Sequence, residues 1–91
     1  MNNKKILLIT TIGCEACTIM DGIVKEALTR TSKSIEYECK SYVDVDIKLR
    51  NSLHLRDFPT IVFLIDDTVK FSYVGTMPVT VVLRWIDIHF K

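Results

Sequence analysis

Two cysteines separated by two residues, Cys14 and Cys17, lie where an apolar run gives way to a helical pattern. The run before them, residues 6–9, has the composition of a buried strand. After them, apolar side chains recur at the spacing of one helix face: Met20, Ile23, Val24, Ala27 and Leu28. The first turn of a helix offers unpaired backbone N–H groups and the positive end of its dipole, which can lower a cysteine pKa from about 8.5 to roughly 3.5–7.5. This stretch is therefore suited to thiol chemistry.

Length and composition predict one small domain that spans residues 1–91. The net charge is +1, and the basic residues are scattered among acidic ones, so we expect no nucleic-acid partner. No apolar run reaches the ~18 residues that span a bilayer, so no membrane partner is expected. Residues 4–12 only faintly imitate a secretory signal, and cleavage there would remove the first strand. We therefore expect a cytoplasmic protein, and no pattern predicts an oligomer.

Hydrophobic periodicity predicts seven elements in the order β-α-β-α-β-β-α. The predicted strands cover residues 4–10, 35–43, 60–65 and 69–74, and the predicted helices cover residues 14–30, 44–55 and 78–90. Alternation along the second strand places Cys39 on its buried face. In the second helix, Ile47, Leu49 and Leu53 are the expected apolar contacts.

The last segment, residues 78–90, fits two structures. Its apolar residues have the spacing of a helix face, and Pro78 suits a first helical position. Its β-branched residues and the alternation over residues 86–91 favour a strand instead. A length of about a dozen residues favours the helix.

Two further features accompany the cysteine motif. The C-x-x-C motif at residues 14–17 ends the first strand, Phe58-Pro59-Thr60 precedes the third, and Gly75 follows Pro59 by 16 residues. Together they resemble the thioredoxin family, in which a cis-proline followed by threonine faces the C-x-x-C motif. The resemblance spans essentially the whole chain. It implies an α/β protein with a thioredoxin-like three-layer α/β/α fold and a four-stranded mixed sheet.

The resemblance also implies a thiol-disulfide oxidoreductase without a cofactor or a metal. Cys14 would attack a protein disulfide, and Cys17 would then release the reduced substrate. The expected partners are a protein disulfide substrate and a reductase or other thiol donor, and the expected state is a monomer. The implied substrate-binding residues are Ile12, Gly13, Phe58, Pro59, Thr60 and Gly75.

The chain departs from the family pattern around the motif. Gly13 takes the place of the usual tryptophan, and Leu8 takes the place of a buried acid. Glu15-Ala16 replaces the common Gly-Pro dipeptide. A carboxylate disfavours a second negative charge nearby, so Glu15 is predicted to oppose ionisation of Cys14.

Two other functions fit the cysteines. Heavy-metal-associated domains also place a C-x-x-C motif between a strand and a helix, and two thiolates suit Cu(I). That fold ends in a strand, so it requires residues 78–90 to be extended, and it leaves Phe58-Pro59-Thr60 unexplained. The second possibility is a thioredoxin-like scaffold that binds partners without catalysis.

Overall fold

The computed structural model describes residues 3–91 and contains four strands and three helices in that range. The strands are β1 (Lys4–Thr10), β2 (Glu36–Ser41), β3 (Thr60–Ile65) and β4 (Thr68–Val74). The helices are α1 (Glu15–Arg30), α2 (Ile47–Leu53) and α3 (Val79–His89), and a short 3-10 turn covers Tyr42–Asp44. The element order β-α-β-α-β-β-α is confirmed. None of the helices in the described range is long and apolar enough to cross a membrane.

The strands form one mixed sheet in the order β2-β1-β3-β4. Strand β1 runs parallel to β2 and antiparallel to β3, and β3 pairs antiparallel with β4. The two central strands carry continuous apolar runs because both of their faces are covered. The hairpin between β3 and β4 turns at Asp66 and Asp67, which both have positive φ, as two-residue hairpin turns favour. The predicted four-stranded mixed sheet is confirmed.

Helices cover both faces of the sheet and give three layers. Helices α1 and α3 cover one face, where the buried residues are Ile6, Leu8, Met20, Val24, Ala27, Ile61, Phe63, Val82, Ile86 and Phe90. Helix α2 covers the other face, where Leu49 and Leu53 pack against a smaller cluster. The buried members of that cluster are Leu7, Ile9, Val45, Val62 and Leu64. The predicted α/β/α architecture is confirmed.

The last segment is a helix, and its burial pattern explains why. Val82, Ile86 and Phe90 recur every four residues and are all fully buried against the sheet. This contact outweighs the low helix propensity of the β-branched residues, which costs only about 0.7 kcal/mol or less per residue. A heavy-metal-associated fold needs a strand here, so that fold is wrong for this chain.

Two predicted elements are shorter than expected. Strand β2 ends at Ser41 because residues 42–44 form the 3-10 turn, and Val43 in that turn is 72% exposed. Helix α2 begins only at Ile47, and His54 ends it in a left-handed conformation. Ile47 is exposed at the first position of α2, so its prediction as an apolar contact is wrong.

Candidate active site

The strand register brings the two halves of the predicted site to one edge of the sheet, namely the edge formed by the end of β1, the start of β3 and the end of β4. Ile9 near the end of β1 pairs with Thr60 at the start of β3, and Thr60 pairs with Val74 at the end of β4. The loop from β1 to the cysteines therefore leaves the sheet at the edge where the Pro59 segment enters it. The Gly75 N–H donates a hydrogen bond to the Pro59 carbonyl oxygen at 2.8 Å and holds these two loops together.

Cys14 and Cys17 form a disulfide at the start of α1, with their Cα atoms 5.3 Å apart. Cys14 is the N-cap residue, and its sulfur accepts a hydrogen bond from the Cys17 backbone N–H at 3.1 Å. Cys17 is only 4% exposed, whereas Cys14 is partly exposed. The pair therefore has an outer sulfur that a partner can reach and an inner sulfur that the fold shields. In the reduced protein the same N–H would stabilise a thiolate on Cys14.

The segment Phe58-Pro59-Thr60 is held firmly at this edge, and the Phe58–Pro59 peptide bond is cis. Pro59 and Thr60 are both buried, and the Thr60 hydroxyl donates to the Asp57 carbonyl oxygen at 2.8 Å. Phe58 packs edge-on against Tyr42, with ring centroids 5.5 Å apart. Because the side chains of Pro59 and Thr60 are buried, this segment can offer a partner mainly its backbone.

The loop before the cysteines is open to solvent. Ile12 is 97% exposed, and Gly13 adopts a positive φ of 73° that other residues rarely adopt. Across the site, Val74 is half-exposed and Gly75 has a φ of 115°. The predicted site residues thus lie on the loops and element ends at one edge of the sheet, with apolar surface on both sides.

A cavity of about 530 Å³ beside the disulfide is also lined by residues that were not predicted to belong to the site. Cys14, Cys17, Asp21 and Cys39 all line it, together with Thr10, Thr11, Gly13, Glu15 and Thr18. Cys39 is an exposed free thiol, so its predicted burial is wrong. The reason is that β2 is an edge strand and its end opens into this cavity, which leaves Cys39 uncovered. The pairing of Cys39 with Leu8, which is fully buried on the neighbouring strand, would also have favoured burial of Cys39.

The thiol of Cys39 is predicted to react in the native protein. Alkylation of the oxidised protein without denaturant should modify Cys39 alone, whereas reduction and unfolding should expose all three cysteines. Partial burial and the nearby Asp21 carboxylate raise the pKa of Cys39, so its alkylation rate should keep rising beyond about pH 8.5, where an ordinary thiol is half-ionised. Mass spectrometry of quenched samples measures both effects. Protection of Cys39 in the native protein would contradict this placement, and Cys39→Ser is the control.

Asp21, which lines the same cavity, has two partners on its carboxylate. The Tyr37 hydroxyl donates to one Asp21 carboxylate oxygen at 2.6 Å, and the Lys25 ammonium contacts the other oxygen at 3.0 Å. The Tyr37 hydrogen bond, followed by Lys25, lowers the pKa of Asp21 below its ordinary value. The hydrogen bond from Tyr37 to Asp21 ties the edge strand β2 to helix α1 next to the inner cysteine.

Tyr37→Phe is predicted to lower the free energy of unfolding by about 1 kcal/mol at pH 7. A carboxyl whose folded pKa is lowered stabilises the protein above its unfolded pKa of about 3.9, and this contribution disappears as the pH falls through the folded pKa. The variant and the wild type should therefore converge in stability as the pH falls below about 4. Urea unfolding across this range measures the difference. A gap that stays constant with pH would assign the effect to packing instead.

Comparison with known proteins gives the class of fold. No protein-family model and no curated protein matches the chain. Among solved structures it is similar to thioredoxin-2, described as a component of the malaria parasite protein secretion machinery, at 20% identity and a TM-score of 0.77, over 97% of this chain and 84% of that chain. It is also similar to chloroplastic thioredoxin z, at 18% identity and a TM-score of 0.74, over 97% and 79% of the two chains.

A mutant thioredoxin from Halobacterium salinarum gives a TM-score of 0.77 at 19% identity, over 99% of this chain and 77% of that chain. Three thioredoxins from very different sources therefore share the arrangement of strands and helices described above. The chain has the thioredoxin fold, and the resemblance that its motifs carry is confirmed at the level of the fold. Within that fold, a close cysteine pair lies at the junction of β1 and α1.

Proposed function

We propose that the protein is a thiol-disulfide oxidoreductase that uses Cys14 and Cys17 as its redox pair. The observation that carries this proposal is the disulfide between a reachable sulfur and a shielded one at the N-terminus of α1. Such an asymmetric pair suits exchange with a partner, because one sulfur meets the substrate and the other completes the reaction. We expect the protein to act as a cytoplasmic monomer with this single domain.

The reaction conserves electrons in two exchange steps. The Cys14 thiolate attacks one sulfur of a substrate disulfide, forming a mixed disulfide and releasing the other substrate sulfur as a thiolate, which takes up a proton. The Cys17 thiol loses its proton, and its sulfur then attacks Cys14, which restores the internal disulfide and releases the second substrate thiolate. The substrate gains two electrons and the cysteine pair loses two. The reverse sequence oxidises a dithiol substrate.

The surface around Cys14 suits a protein substrate. Ile12 and Gly13 lie exposed on one side of the site, and the loops that carry Phe58, Pro59, Thr60 and Gly75 lie at the same edge of the sheet. Backbone groups beside Pro59 can pair with an extended substrate segment, as added strands do at exposed edges. A reductase or another thiol donor would then return the pair to its dithiol form.

One experiment separates the remaining functions. Turnover of a protein disulfide, driven by a thioredoxin reductase or a chemical dithiol, is measured together with Cu(I) affinity in the same sample. Reversible turnover with weak Cu(I) binding supports the oxidoreductase. Tight Cu(I) binding without turnover would replace it with a metal carrier, and inactivity in both assays would leave the binding scaffold.

Glu15→Gln is predicted to increase the thiolate fraction of Cys14 in the reduced protein at a given pH. The substitution keeps the size of the side chain and removes a negative charge next to the attacking sulfur, which favours ionisation. Titration of the ultraviolet absorbance of the thiolate compares the two proteins. An unchanged or smaller thiolate fraction in the variant would contradict a role for Glu15 at this site.

A further inference from the structure

A second cavity, of about 380 Å³, lies at the end of α2 and has the opposite charge to the cavity beside the cysteines. This basic pocket is lined by Tyr42, Arg50, Asn51, His54, Leu55 and Arg56. It combines two guanidinium groups and an imidazole, and its lining within the described residues contains no carboxylate. Guanidinium groups favour carboxylates and phosphates because their paired N–H donors match two oxygens at once.

Arg50 is the central residue of the basic pocket. Its Nε atom is buried and has no hydrogen-bond partner among the described residues, which is costly for an N–H donor. The guanidinium carbon lies 5.0 Å from the centre of the Tyr42 ring, so the aromatic face fixes its orientation. No carboxylate of residues 3–91 lies within ion-pair distance of Arg50, His54 or Arg56.

The end of α2 does not account for these basic side chains. The backbone N–H groups of His54 and Leu55 already donate to the carbonyl oxygens of Asn51 and Arg50, which are among the last acceptors of the helix. The Arg50 guanidinium is therefore free to serve a ligand instead of capping the helix. His54 and Arg56 are exposed, so an anion from solvent can reach the pocket.

The basic pocket adjoins the proposed substrate surface. Tyr42 contacts Arg50 on one side and packs edge-on against Phe58 on the other. Leu55 and Arg56 precede Phe58 by only three and two residues. Tyr42 also follows β2 directly, and the end of β2 pairs with Thr10 at the end of β1, so the pocket lies at the sheet edge that carries the cysteines.

We propose that the basic pocket binds acidic side chains of the substrate protein and so positions its disulfide at Cys14. This inference rests on the proposed function and adds a substrate class, namely proteins with aspartate or glutamate near the reacting disulfide. Glu15 and Asp21 beside the cysteines repel the same acidic residues. A substrate therefore binds with its acidic part towards Arg50 and its disulfide towards Cys14, which fixes its direction.

Direct binding tests the inference independently of redox activity. An aspartate-rich peptide without cysteine is titrated into the 15N-labelled protein. The control is the same peptide with every aspartate replaced by asparagine. The aspartate peptide is expected to bind about tenfold more tightly at low salt and to shift the Arg50 Nε–H, Asn51 and His54 signals. Equal binding of the two peptides, or shifts confined to other surfaces, would overturn the inference.

Variants assign the preference to the pocket. Arg50→Gln, and separately the exposed Arg56→Gln, should each reduce the preference for the aspartate peptide several-fold. Arg84→Gln makes the same change in charge on α3, on the opposite face of the sheet, and should keep the preference. A preference that survives both pocket variants, or that Arg84→Gln also removes, would show a general charge effect and overturn the assignment.

A kinetic measurement then links the pocket to catalysis. The values of kcat/KM are compared for disulfide peptides flanked by aspartate or by asparagine. In the wild type the aspartate peptide should have a kcat/KM about tenfold higher, and in the pocket variants this difference should be lost. Equal reduction of both peptides would overturn the inference while leaving the oxidoreductase function intact. Selective peptide binding without reduction of either disulfide would support the basic pocket and contradict the proposed function instead.

Discussion

Cys14→Ser is expected to reduce protein disulfide exchange by at least roughly 10³-fold, because it removes the sulfur that attacks the substrate and the shielded Cys17 cannot take its place. Cys17→Ser should lose turnover to a similar extent for a different reason. In Cys17→Ser the Cys14 sulfur still attacks the substrate, but the mixed disulfide persists until an external thiol reduces it. Intact-mass spectrometry should show this adduct on Cys17→Ser and not on Cys14→Ser.

Cys39→Ser is the matched control for these two variants. It also removes one thiol from the cavity beside the disulfide, but the proposed reaction does not use Cys39. Its turnover should therefore stay within about twofold of the wild type, since surface substitutions away from key features have small effects. An adduct that forms on Cys17 when Cys14 is replaced would contradict the assignment of Cys14 as the attacking residue.

Phe63→Ala is expected to cause the largest loss of stability, about 3–5 kcal/mol in the free energy of unfolding. Phe63 is fully buried on central strand β3, and its ring lies within 5.1–6.2 Å of the rings of Phe90, Phe71, His89 and Trp85, measured between centroids. The substitution would leave a cavity where α3 packs on the sheet. A chain of this length has a total stability of about 5–14 kcal/mol, so a large share would be lost.

Urea unfolding followed by circular dichroism measures the effect of Phe63→Ala. Val43→Ala is the control, because it also shortens an apolar side chain but lies exposed in the 3-10 turn. The free energy of unfolding of Val43→Ala should differ from that of the wild type by no more than about 0.5 kcal/mol. A small loss for Phe63→Ala, comparable with that of Val43→Ala, would contradict the role of this aromatic cluster in holding α3.

Elements with a single dominant pattern were predictable from the sequence. The bounds of β1 and β3 follow from continuous apolar runs, and those of α1 follow from a long helical repeat that begins at a cysteine cap. The ambiguous segment at 78–90 needed its packing partners to be known. The spacing of Val82, Ile86 and Phe90 predicted a helix face, and their full burial against the sheet confirms it over the alternative strand.

The candidate site was predictable where neighbours in sequence are neighbours in space. The disulfide of Cys14 and Cys17 lies within one helical turn, so its spacing was informative. Cys39 was misplaced because alternation predicts two faces of a strand but not whether a helix covers the end of one. The basic pocket was missed for a similar reason: Tyr42 meets Arg50 and Phe58 only through the packing of α2 on the sheet.

The central claim is that Cys14 and Cys17 form a reversible redox pair, and an equilibrium redox titration tests it most directly. The protein is incubated at a series of glutathione ratios, quenched with an alkylating reagent, and analysed by peptide mass spectrometry. Both cysteines should change state together along a two-electron curve, in which a tenfold change in the equilibrium ratio corresponds to about 30 mV. A pair that stays in one state at every ratio, or two cysteines that titrate separately as glutathione adducts, would contradict the claim.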